Sequence, residues 1–232
     1  AASDVYKRQI YVESDMMKSA LQRRGFENAV VMYNFKELEP LAESDIEYPK
    51  SEPYKLCTFS RVMKEKGIED AINAVESVNA HFGRTVYTLD IFGQIDVEYK
   101  ERFSQLEKSF PDYISYGGAI EANKSVETLK SYFALLFPTY YKGEGFAGTL
   151  IDAMSAGVPV IASDWKYNPE FVVPGKTGVI IKNCNAERLA EELINIAAAP
   201  EKWNSMRLSA LKESEKYKPD IAARPLIDRI NG

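Results

Sequence analysis

The chain has 232 residues, enough for one sizeable core and not for two full ones. It sets 29 Lys and Arg against 34 Asp and Glu, a net charge of −5 without a basic run, which argues against a nucleic-acid partner. Two distant cysteines, Cys57 and Cys184, and one histidine, His81, exclude a disulfide framework, a Cys-x-x-Cys centre and a multi-histidine metal site.

Residues 4–9 read DVYKRQ and resemble the read-through translation of a transposon-end sequencing adaptor. Residues 1–9 are therefore expected to be a non-native scar, with the natural protein extending further N-terminally. Ser14 can cap a helix running to Arg24 and stopped by Gly25. Residues 29–33 form a short β-rich run. Residues 36–53 are acidic, carry Pro40 and Pro49, show no period and read as a linker. From there strands and helices alternate. Strands are expected at 55–60, 86–92, 113–116, 134–137, 158–162 and 178–181. Helices are expected at 68–82, 97–109, 125–132, 149–156, 186–198 and 201–216, with a last one at 221–230. In the first of these domain helices Ile68, Ala71, Ile72, Val75 and Val78 share a face, and Gly83 is its stop. The longest apolar stretch, 132–141, is too short to span a bilayer and contains Pro138. No secretory segment opens the chain, and a cytoplasmic, reducing compartment is the expectation.

This alternation predicts an α/β fold of βαβ units, a parallel sheet covered by helices on both faces, with right-handed crossovers. Ligands of such sheets bind outside the carboxyl ends of the strands. Two of the loops expected there are chemically unusual. The first, 139–149, reads TYYKGEGFAGT and places Gly143, Gly145 and Gly148 within six positions before a helix start. Glycines let backbone approach a ligand, and a helix start offers free N–H groups and a positive dipole end, which suits a phosphate. Glu144 lies inside this loop. A carboxylate beside a phosphate repels it, so Glu144 reads either as an acid for sugar hydroxyls or as a solvated loop residue. Thr149-x-x-Asp152 fits a capping box and fits a ligand-facing acid equally well. The second loop, 61–67, reads RVMKEKG. Arg61 and Lys66 suit a diphosphate, Arg as a fork and Lys as a point charge, or form a solvated basic loop.

The three glycines also spell G-x-G-x-x-G, and Asp164 follows the next strand, as in a dinucleotide site. An NAD(P)-binding Rossmann domain of an oxidoreductase is therefore the alternative reading. Against it, residues 138–142 separate the expected strand from the first glycine. His81 and the aromatics Tyr132, Phe133, Tyr140 and Tyr141 read as surface and packing residues. Nothing resembles a Ser–His–Asp arrangement.

Taken in order, several segments resemble the C-terminal, nucleotide-sugar-binding half of a retaining glycosyltransferase with two Rossmann-like domains, the GT-B fold of the glycosyltransferase family 4 type. Asn34-Phe35 resembles the "PNF" ending the interdomain connection. Phe59-Ser60-Arg61 with Lys66-Gly67 resembles "GR…EKG", and Gly93 the glycine closing the next strand. Glu144-Gly145-Phe146 with residues 152–163, DAMSAGVPVIAS, resembles "EGF…EAMA-G-PVIAS". Pro169-Glu170 and residues 175–178 resemble the "PE…G-x-x-G" tail. The likeness covers about residues 10–216.

The resemblance implies that residues 10–53 are a remnant of an N-terminal domain and its connection. Residues 54–216 would be the donor domain and 217–232 a C-terminal helix. It implies that Arg61 and Lys66 hold the donor diphosphate of a UDP- or GDP-sugar, and that Glu144 binds the sugar hydroxyls. Gly145, Phe146, Ala147, Gly148 and Thr149 would give backbone amides, and Asp152 would bind the ribose. Asp152 stands where the family usually has Glu, and Ser60 where it has Gly. No metal or other cofactor is implied. The resemblance implies transfer with retention to a glycan or lipid-linked acceptor, as in surface polysaccharide biosynthesis. The acceptor site, and any peripheral membrane association, belong to an N-terminal half. The chain as given is expected to bind a donor weakly and to transfer no sugar.

Overall fold

The computed structural model describes residues 9–231. The scar expected at 1–9 lies outside them except for Gln9, whose side-chain amide donates to the Asn28 carbonyl. The described chain opens with β1 (Ile10–Val12), α1 (Asp15–Gln22) and β2 (Ala29–Val31), and β1 pairs with β2 in parallel. Ser14 caps α1 as expected: its hydroxyl accepts the Met17 N–H at 3.0 Å. The free amides of Asp15 and Met16 donate to the two oxygens of Glu170, at 2.7 and 3.0 Å. This ties the βαβ unit to the rest of the chain. Residues 32–53 are irregular apart from a 3₁₀ turn at Glu43–Asp45.

The main sheet then builds from β3 (Tyr54–Phe59), α2 (Ile68–Phe82), β4 (Tyr87–Phe92), α3 (Lys100–Glu107), β5 (Ile114–Gly118), α4 (Ser125–Leu129) and β6 (Ala134–Phe137). It is completed by α5 (Gly148–Ser155), β7 (Val160–Ser163), α6 (Asn168–Phe171), β8 (Gly178–Ile181) and α7 (Ala186–Ala198). Four short helices follow: α8 (Pro200–Asn204), α9 (Arg207–Ser214), α10 (Pro219–Ala222) and α11 (Arg224–Asn231). All six strands are parallel, in the order β5-β4-β3-β6-β7-β8.

Both faces are buried, and the strands alternate between them. Leu56 and Leu136 enter one apolar cluster, beneath α2 and α7. Cys57, Leu135 and Phe137 enter the other, beneath α5 and α9. Burying each such leucine contributes about 2 kcal/mol. The expected single helix at 201–216 is broken between Asn204 and Arg207. The Arg207 guanidinium is fully buried, donates to the Tyr132 and Lys130 carbonyls at 2.8 Å each, and burial lowers its pKa to about 10. Sequence reasoning missed β1 and α6, which are three and four residues long. In α11, Leu226, Ile227 and Ile230 are exposed. No helix among the described residues is long and apolar enough to cross a membrane.

The strand order has a consequence for function. The chain leaves β3 for one half of the sheet and returns to begin the other half at β6. The connections after β3 and β6 therefore diverge, and a crevice opens between them at the strands' carboxyl ends. Those two connections are the unusual loops of the sequence.

Candidate functional site

The loop from β3 to α2 and the loop from β6 to α5 are joined by backbone. The Tyr140 N–H donates to the Glu65 carbonyl at 2.8 Å. Gly67, between loop and helix, has φ +73°, and a Cβ there would lie 2.3 Å from the Pro138 carbonyl oxygen. Only glycine permits both the backbone angle and the approach. Gly93, at the end of β4, has φ +138° and would place a Cβ 1.7 Å from the Ser60 carbonyl. It shapes the Arg61 loop from behind. Between the loops lies a cleft of about 310 Å³ whose lining includes Arg61, Lys66, Glu144, Gly148, Thr149 and Asp152. A larger hollow of about 640 Å³, beside β8 and α7, holds surface charges such as the Arg188–Glu191 pair and no converging polar groups from separate loops.

Lys66 and Glu144, from different loops, meet on the cleft floor. Lys66 Nζ lies 2.9 and 2.8 Å from the two carboxylate oxygens, and Thr139 Oγ1 donates to Oε2 at 2.7 Å. The Lys66 side chain is 12% exposed and that of Glu144 6%. The Lys66 ammonium also stands 5.5 Å from the Phe137 ring centre and 5.3 Å from that of Tyr141. The reading of Glu144 as a solvated loop acid is thus corrected: it is buried and neutralised.

Asp152 is buried too, and the capping box is not formed. The N-cap of α5 is Ala147, which gives no side-chain cap, so Thr149 already lies inside the first turn. Asp152 Oδ1 accepts from Ser125 Oγ at 2.8 Å, and Oδ2 pairs with Lys36 Nζ at 2.6 Å. Burial raises the Asp152 pKa; Lys36 and Ser125 oppose the shift without cancelling it. Thr149 Oγ1 is buried without a hydrogen-bond partner. Its hydroxyl and the uncapped amides of α5 are thus left over at one end of the cleft.

Arg61 is the open cation of the site. Its guanidinium is 60% exposed and 3.7 Å from Asp96, too far for a hydrogen bond. Phe146 turns its ring into the core, stacked on Phe171 with centres 3.7 Å apart, and only its backbone faces the loop. There the amide donates to Glu13 at 3.2 Å and the carbonyl accepts from Asn34 at 3.1 Å. Gly145 also lies against the Glu13 carboxylate.

Sequence reasoning missed Lys36, Glu13, Ser125, Thr139 and Tyr141 as parts of this site. Thr139 and Tyr141 lie in the glycine-rich loop 139–149, and Lys36 neighbours Asn34-Phe35; Glu13 and Ser125 carried no signal. His81 is exposed on α2. Tyr132 and Phe133 are buried, Tyr132 donating to Asp90 at 2.6 Å. Asp164, the acid of the dinucleotide reading, accepts from the Asn183 amide at 3.2 Å and does not line the cleft. Residues 138–142 follow β6 before Gly143, so the glycine spacing does not sit at a strand end, and the oxidoreductase reading is not favoured. Among the described residues no group of three or more His, Cys, Asp or Glu could hold a metal ion.

A family model described as "Glycosyl transferases group 1" matches residues 42–213. The GtfA subunit of the UDP-N-acetylglucosamine–peptide N-acetylglucosaminyltransferase of Streptococcus gordonii is 30% identical over 178 residues, 73% of this chain and 34% of that protein. The poly(glycerol-phosphate) alpha-glucosyltransferase of Bacillus subtilis is 26% identical over 184 residues, 77% of this chain and 26% of that protein. The solved structure of HepE from Anabaena, in complex with UDP and glucose, matches with a TM-score of 0.78 at 16% identity, over 96% of this chain and 63% of that one. That likeness is one of fold, the Rossmann-like domain of GT-B proteins. The chain spans 34% of the first of these relatives. With more than half of its length matched by the family model, the chain belongs to the glycosyl transferases group 1 family.

Proposed function

We propose that this chain is the donor-binding half of a retaining, metal-independent glycosyltransferase of the family 4 type. Its donor is a UDP- or GDP-sugar and its acceptor a glycan or lipid-linked glycan of surface polysaccharide synthesis. A lipid-linked acceptor would bring the reaction to the inner face of the membrane. The observation that carries this reading is one convergence. Arg61, the Lys66–Glu144 pair and the uncapped start of α5 meet in the crevice where the sheet reverses its winding.

Each part has a role in that chemistry. The bond from the anomeric carbon to the diphosphate oxygen breaks, and negative charge grows on the leaving diphosphate. Arg61 and the free amides of α5 receive that charge. Lys66 lets an acid stand beside a phosphate, because it neutralises Glu144 on both oxygens. Glu144 then accepts from the donor-sugar hydroxyls rather than repelling the diphosphate. The acceptor is held by an N-terminal half, so the 232-residue chain binds donor weakly and transfers none, since positioning is worth roughly 7–11 kcal/mol of a barrier.

Calorimetric titration of UDP, GDP and NAD tests the reading. Binding of UDP or GDP with none of NAD is expected. Binding of NAD alone, or of none of the three, would overturn it.

A further inference from the structure

We infer that Lys36, from the connection ahead of the main sheet, is a second side-chain cation for the donor diphosphate, beside Arg61. Asp152 and Ser125 are its positioning residues. This rests on the proposed function and adds to it.

The Asp152 carboxylate anchors Lys36 from a buried position. The residue is 1% exposed, one oxygen is taken by Ser125 and the other by Lys36. Lys36 is different. Its side chain is 31% exposed and borders the cleft. An ammonium has three N–H donors, and Asp152 engages one oxygen's worth. The remaining donors are next to the start of α5: Nζ lies 3.5 Å from where a Cβ on Gly148 would stand.

What surrounds that point is complementary to an anion. The first amides of α5 carry no cap, and the Thr149 hydroxyl is buried without a partner. Cation, helix end and spare hydroxyl together suit a phosphate oxygen better than a sugar hydroxyl. Arg61 stands on the opposite loop of the same cleft, so the diphosphate would be gripped from both sides. The arrangement also gives the departure of Asp152 from the family's Glu a physical meaning. The shorter acid reaches Lys36 and Ser125 at the edge of the cleft that it helps to line.

The test compares Lys36→Gln and Lys36→Arg with the unsubstituted 232-residue chain, titrating UDP, GDP, uridine and guanosine at two salt concentrations. Glutamine keeps an N–H for Asp152 and loses the charge; arginine keeps the charge. Lys36→Gln should weaken the diphosphate that binds by about tenfold, leave its nucleoside within twofold, and flatten the salt dependence. Lys36→Arg should lose less than about threefold. A merely structural Lys36 would lower the melting temperature and leave the salt dependence alone. Equal loss of diphosphate and nucleoside, unchanged affinity in Lys36→Gln, or an equal loss in both variants would overturn this inference while the proposed function stands. Failure of the unsubstituted chain to bind UDP or GDP would overturn both.

Discussion

The cleft contains two lysine–carboxylate pairs, and they are built for different ends. Lys66 and Glu144 come from the two loops that flank the sheet's reversal. Both carboxylate oxygens are engaged, and the lysine is mostly enclosed between aromatic rings. Lys36 and Asp152 join the connecting segment to α5 through a single oxygen, and the lysine remains about a third exposed. The first pair welds the floor; the second carries a cation from outside the main sheet to a helix end. An acid in a phosphate site needs its cation beside it, and the two lysines differ in what each keeps for a ligand. What matters is how much of its partner is left over.

Removing one member of the welded pair should have the largest effect. Lys66→Ala strands a buried carboxylate with only Thr139 to satisfy it, and should lower stability by about 3 kcal/mol. Lys66→Met combined with Glu144→Gln should recover most of that loss. Denaturant unfolding of both variants checks this, and an unaltered midpoint for Lys66→Ala would mean the pair is not a weld.

Arg61→Ala sharpens the contrast from the other side. The guanidinium is exposed and weakly paired, so stability should move by no more than about 0.5 kcal/mol. Affinity for the nucleoside diphosphate should nonetheless fall about tenfold, with the nucleoside little affected, as read by calorimetry. A matched loss of stability and affinity would make Arg61 a structural residue.

Glu144→Gln keeps the shape of the acid and removes its charge. It should weaken an intact nucleotide sugar more than the bare diphosphate, because the carboxylate is assigned to sugar hydroxyls. Titrating both ligands into the variant decides it; equal losses would reassign Glu144 to the fold alone.

The smallest effect concerns Asp152. Its folded pKa is raised above the unfolded value near 3.8. Stability from such a group is full below the unfolded value and is lost as pH rises through the folded one. Asp152→Asn does not titrate, so it should cost more stability at a pH below 3.8 than at neutral pH. Unfolding curves at the two pH values give the comparison, and a cost that grows with pH would contradict the burial argument.

These pairs also mark where sequence reading stops. The alternation of strands and helices was legible because both periods are strong: 68–82 and 186–198 emerge with the expected bounds. The glycine-rich loop was legible because backbone approach to a ligand or a neighbour requires those residues. The partners of Glu144 and Asp152 were not. Lys66 is 78 residues from Glu144, and Lys36 is 116 residues from Asp152, so nothing local announces either pairing. Thr149 and Asp152 have capping-box spacing, but the helix starts one residue earlier and places the threonine within its first turn. Lys36 lies in an irregular segment, and only the fold shows that this segment passes over the helix end.

The most direct test of the central claim is a crystal structure of the chain with UDP or GDP, whichever binds. The diphosphate is expected in the cleft between the loops after β3 and β6, within hydrogen-bond distance of the Arg61 guanidinium and the Gly148 and Thr149 amides. A diphosphate bound elsewhere, for instance in the hollow beside β8 and α7, would contradict it.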